Sequence, residues 1–139
     1  MEIAAISDNG LITLRSAHDF SATIARLAAN LEAKAVTIFA RVDHAAGAAS
    51  VGLALRPTTL LVFGNPAAGT PLMQDAPTAG IDLPLKMLVW QDADDTVNLS
   101  YNDPFWIAAR HRLGSADVHQ AVAAMAATLE ALARHATGS

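Results

Sequence analysis

The chain has 139 residues, a formal charge of −4, 53% hydrophobic and 16% charged residues, and no cysteine. Such a length can bury roughly two thirds of its unfolded surface in one core, so residues 1–139 read as a single domain that needs no disulfide or metal staple. The missing thiols exclude disulfide scaffolds, thiolate metal sites and cysteine nucleophiles. The negative balance argues against a nonspecific nucleic-acid binder, which needs a basic face. No apolar run free of proline and glycine is long enough to span a bilayer, and Met1-Glu2 does not open a signal peptide; both features lead us to expect a cytoplasmic protein without membrane contact.

Leu11 to Arg15 is the first expected strand. Ser16 then reads as an N-cap, with Asp19 three residues on, for a helix over 17–33 whose apolar face carries Phe20, Ile24, Leu27 and Leu31. Val36, Ile38, Ala40 and Val42 alternate with Thr37, Phe39, Arg41 and Asp43, the period of a strand with one buried face. A short helix fits 45–53. The continuous apolar run from Thr58 to Phe63, bounded by Pro57 and Gly64, predicts a central strand. Thr70-Pro71 reads as a helix cap followed by proline at the first helical position. Leu85 to Trp90 and Thr96 to Tyr101 flank the acidic turn Asp92-Ala93-Asp94-Asp95 as a hairpin. Asp103-Pro104 repeats the cap device. Ser115 caps a last helix with the stripe Val118, Val122, Met125, Leu129 and Leu132, and Asp117 lies in its favourable first turn. The order strand, helix, four strands, helix predicts an α+β fold, an antiparallel sheet with its long helices on one face.

Six polar residues are candidates for a site because they fall at strand ends or turn starts, where a scaffold presents side chains to a cleft. Thr70, with the amides of the helix start behind it, could hold an anion, and Asn65 lies in the same turn; turn and capping chemistry alone also accounts for both. Lys86, in phase with Leu88 and Trp90 in an apolar strand, must reach water, a carboxylate or an anionic ligand. His44 ends a strand beside Asp43 and could act as base or ligand, or simply as a hydrogen-bonding group. Tyr101, the one tyrosine, needs a hydroxyl partner if buried, and Asp103 is a cap. His111, between Arg110 and Arg112, reads as solvated helix surface. No histidine pair has helical metal-ligand spacing, and no nucleophile elbow or phosphate loop occurs. The residues name no cofactor. Three readings stand: a small-ligand binding or sensing domain, with an anion among the ligands it would suit, built on His44, Asn65, Thr70, Lys86, Tyr101 and Asp103; an enzyme with His44 as general base and Lys86 as anion stabiliser; or a structural module in which these groups are caps and core hydrogen bonds. Apolar groups on both faces of the central strands predict a homodimer covering the face the helices leave open.

Several longer stretches are distinctive: Phe39-Ala40-Arg41-Val42-Asp43-His44, Gly52 to Thr58, Phe63-Gly64-Asn65-Pro66 with Gly69-Thr70-Pro71-Leu72-Met73, Asp82 to Lys86, and Tyr101-Asn102-Asp103-Pro104. In this combination the chain resembles the domain of unknown function 302 family, the TT1751-like proteins, from about Gly10 to the last helix. The resemblance implies a TATA-binding-protein-like topology and a homodimer, and it leaves biochemical function open. Lys34-Ala35 stands where family members often have a lysine-glycine pair, so the end of the first helix is expected to differ slightly.

Overall fold

The computed structural model describes residues 3–6 and 9–138; the Met1-Glu2 opening and Ser139 lie outside them. Strands β1 (Ile3–Ile6), β2 (Leu11–Arg15), β3 (Thr37–Asp43), β4 (Thr58–Gly64), β5 (Leu85–Gln91) and β6 (Val97–Asn102) form one sheet in the order β1-β2-β6-β5-β4-β3. Every neighbouring pair is antiparallel. The long helices α1 (Phe20–Ala33) and α5 (Ala116–Thr137) pack on each other and on one face of the sheet. Helices α2 (His44–Ser50), α3 (Pro66–Asp75) and α4 (Pro104–Arg110), and a 3₁₀ helix at Pro77–Ile81, fill the connections. The expected α+β order is present inside this architecture, and β1 adds an edge strand that the sequence reading did not anticipate.

Alternation explains the layering. Leu61 and Phe63 of β4, Met87 and Val89 of β5, Leu99 and Tyr101 of β6 and Leu14 of β2 all point to the helices, where they meet Ile24, Leu27 and Leu31 of α1 and Leu129 and Leu132 of α5. Each fully buried leucine contributes about 1.5–3 kcal/mol of transfer free energy. The opposite face is divided. On β2 and β6 it is polar: the Trp90 indole N–H donates to Ser100 Oγ at 2.9 Å, and Ser100 Oγ bonds Thr13 Oγ1 at 2.8 Å. On β4 and β5 it is mainly apolar, with half-buried Leu60, Val62, Leu88 and Trp90 around the single charge of Lys86.

Three local expectations are corrected. The first helix begins at Phe20, capped by Asp19, whose carboxylate accepts from Ala22 N at 2.8 Å. Ser16 cannot serve as the cap, because the Ser16 and Ala17 amides are still tied to Val97 O and Thr137 O, both at 2.8 Å. Thr70 does not cap α3 either. Asn65-Pro66 carries the same device five residues earlier and starts the helix there, leaving Pro71 inside it. In β3 the alternation breaks at a bulge between Ile38 and Ala40: Ile38 pairs with Phe63 on the helix side, while Ala40 and Val42 pair with Val62 and Leu60 on the other. Ala35 itself takes the left-handed conformation, φ 56°, and Val36 N reaches Leu31 O at 3.0 Å while Ala35 N reaches Glu32 O at 3.0 Å, the two bonds of a Schellman cap.

Candidate functional site

Where β4 ends at Gly64 and the chain turns into α3, an open cavity of about 300 Å³ lies between β3, α3, α5 and the Leu83-Pro84-Leu85 lead into β5. Local sequence accounts for its walls. Asn65 Oδ1 accepts from Ala67 N at 2.9 Å, which fixes the turn and aims α3 along one side. The β3 bulge places Phe39 at the mouth, 52% exposed, against Gly64, where an added Cβ would touch the ring at 3.4 Å. Gly69 stands in the wall of α3, where an added Cβ would meet Leu83 Cδ1 at ordinary contact distance, 3.6 Å, so a side chain there fits without a clash. Met73 and the buried Met125 supply polarisable, adaptable surface. Among the described residues no lining side chain carries a charge; Thr70, on the exposed turn of α3, and Asn65 bring the polar ones.

Of the six candidate residues the cavity therefore brings together two, Asn65 and Thr70. Lys86 alternates with the core residue Met87 and pairs with Val62, so it stands on the sheet face away from the helices and the cavity. His44 is the exposed first residue of α2, at the Thr59 end of β4, about 17 Å of strand from Gly64. Tyr101 is 5% exposed in the main core, and burial, reinforced by Glu130 and Asp103, pushes its phenol up to about 12. Asp103 caps α4, accepting from Phe105 N at 2.9 Å. The anion pocket expected from Thr70 and Lys86, and the joint action of His44 with Lys86, have no common cavity in this geometry.

A second polar cluster was not anticipated from the sequence. His111, at the end of α4, is not solvated surface: its side chain is 6% exposed, and its Nε2 lies 2.5 Å from Asp82 Oδ2. Its Nδ1 lies 2.9 Å from the hydroxyl of Thr78 in the 3₁₀ helix. Arg110 binds both oxygens of Asp82 at 3.0 and 3.1 Å and lies over the Trp106 ring at 5.6 Å. Asp82 is thus engaged by α4 and is not the partner of Lys86. Among the described residues no group of three or more histidines and carboxylates is placed to hold a metal ion.

A family model described as a domain of unknown function, DUF302, matches residues 12–132. The chain belongs to the DUF302 family. A crystal structure titled as an uncharacterised conserved DUF302 protein from Bacillus stearothermophilus shares the fold, with a TM-score of 0.79 over 91% of this chain and 98% of that one, at 18% identity. Two longer proteins are more similar in sequence to this DUF302 chain. One, from Brucella suis biovar 1, is named fluoride-specific ion channel FluC 1 and is 47% identical over 137 residues, covering 98% of this chain and 53% of the relative. The other, from Brucella abortus biovar 1, bears the same name and is 47% identical over 137 residues, with 50% of its length covered. The DUF302 chain spans about half the length of the curated relatives it matches. No helix among its described residues is long and apolar enough to cross a membrane.

Proposed function

We propose that this protein is a cytoplasmic, homodimeric domain that binds a small, mainly hydrocarbon ligand in the cavity beside Gly64. The observation that carries the reading is a cavity of about 300 Å³ whose described lining residues bring no charged side chain. Such a space gains its affinity from apolar contact and would penalise a desolvated anion. Thr70 and Asn65 then meet the polar end of the ligand at the rim. The test is a cavity-filling variant. Gly69 is helical with space before it, so Gly69→Leu keeps α3 and occupies the void. It should abolish the fluorescence enhancement of an apolar naphthalene probe while the melting temperature holds or rises. Unchanged probe binding would overturn the reading.

The Brucella names support a second proposal, that the domain is the companion of a fluoride channel rather than its conducting part. It rests on 47% identity to about half of proteins bearing that name, together with the lack of any membrane-spanning helix among the described residues. Deleting the matched segment from the Brucella suis relative should leave fluoride efflux from liposomes measurable but change its rate or control. Complete loss of efflux in a correctly inserted protein would assign conduction to this segment.

A further inference from the structure

We infer that Thr78 is an acyl-accepting nucleophile, with His111 as its general base and Asp82 as the residue that orients the imidazole, acting on carboxylic esters whose acyl chains occupy the cavity beside Gly64. The argument begins with hydrogen-bond roles. An ionised carboxylate only accepts, so His111 Nε2 donates to Asp82 across 2.5 Å. In the neutral imidazole this leaves the Nδ1 lone pair facing the Thr78 hydroxyl, 2.9 Å away, which is the protonation state a base needs. The ring is held on both sides and buried, whereas Thr78 is exposed to an incoming substrate. Arg110 holds the carboxylate from the opposite side with two further bonds. Nucleophile, base and orienting group within hydrogen-bond reach of one another are the signature of an activated hydroxyl, whatever the chain order.

The second observation is where this cluster stands. Asp82 is followed directly by Leu83 and Pro84, which line the cavity, and a methyl group on Gly80 of the 3₁₀ helix would lie 3.4 Å from Met73 Sδ, another lining residue. The segment that carries Thr78 therefore packs on Met73 of the cavity wall, and Ile81, 72% exposed, adds apolar surface at the end of the same segment. In the reaction, Thr78 Oγ bonds to the acyl carbon as its proton passes to His111 Nδ1. The bond from the acyl carbon to the leaving alcohol oxygen breaks, and that oxygen takes the proton from His111. Water then repeats the sequence, releasing the acid and restoring Thr78. The step needs no co-reactant besides water. Its chain preference rests on the cavity reading above, while its chemistry does not.

The experiment compares p-nitrophenyl octanoate with p-nitrophenyl acetate on the full chain. We expect faster turnover of the octanoate, and an octanoyl adduct on the Thr78 peptide in acid-quenched samples analysed by mass spectrometry. Thr78→Val, at an exposed position that the fold tolerates, and His111→Gln should each lower kcat about 100-fold, the scale of a positioned general base. Thr78→Ser should restore activity, and Asp82→Asn should lower kcat with KM unchanged. Absence of turnover and adduct with both esters, or a kcat that Thr78→Val leaves unchanged, would overturn the nucleophile. Thr78-dependent turnover with equal rates on the two esters would overturn chain binding in the cavity and leave the nucleophile standing.

Discussion

Gly10 lies flat against the indole of Trp106: a methyl group built on Gly10 would fall 2.4 Å from Trp106 Cγ. The backbone there has φ +84°, and Gly10 O accepts from Asp103 N at 2.8 Å, so one residue joins the start of β2 to the cap of α4. Gly10→Ala combines left-handed strain with overpacking and should destabilise the protein by about 2–4 kcal/mol in denaturant titration. A loss under about 1 kcal/mol would mean that the indole moves away freely.

Ala35 keeps a left-handed backbone without the residue best suited to it. The two cap bonds it supports are worth more than the strain, which for an L-residue is about 1–2 kcal/mol. Ala35→Gly removes that strain and frees the unfolded chain somewhat, and the net gain should be about 0.5–1 kcal/mol. A lower midpoint in urea would contradict this account of the helix end.

Tyr101 provides a titration with no overlapping signal, because the chain has one tyrosine. Burial, then the charges of Glu130 and Asp103, raise its phenol from 10.0 to about 12. The neutral form is favoured in the folded protein, so this contribution is complete below pH 10 and is lost as pH rises through about 12. Phenolate absorbance should show a midpoint near 12 in the native protein, moving toward 10 in denaturant, with stability falling over the same interval. A native midpoint at 10 would place the hydroxyl in water.

Assembly can be read from mass. Leu53 and Leu55, 67% and 49% exposed, lie in the segment that joins α2 to β4. If a second copy covers them, light scattering should give twice 14.5 kDa, and the double change Leu53→Glu with Leu55→Glu should halve it without altering the far-ultraviolet spectrum. A monomer at every concentration would refute the homodimer.

The long-period features were legible in the sequence. The stripe from Val118 to Leu132 gave α5, and the run from Thr58 to Phe63 gave β4, because burying one face of a long element dominates local preference. Caps were less legible: Asn65-Pro66 and Thr70-Pro71 are locally equivalent, and only the path out of β4 selects the first. The bulge at Phe39 has no signature in an alternating pattern, yet it sends Val42 to the opposite face from Ile38. Asn65 and Thr70 were found because turns advertise themselves. Phe39, Met73 and Met125 were not, since a cavity is a gap between elements distant in sequence. The burial of His111 likewise depends on Asp82, 29 residues away, which periodicity within α4 cannot reveal.

The place of β2 in the sheet sets the order of events in folding. Strands β3 to β6 follow one another in sequence and in space, so they can pair as each becomes available. β2 instead pairs with β6, and the Thr13–Ser100 hydroxyl bond spans 87 residues. β2 is made before all of β3, β4 and β5, so apart from its hairpin with β1 it must wait for them before its second partner, β6, exists. Its edge stays open for that interval, and closing this seam is the step of highest loop-closure entropy. Trp90 touches the middle of this seam through Ser100 and Trp106 touches its Gly10 end, so a slow fluorescence phase should report the docking of β2 on β6 after the meander has formed.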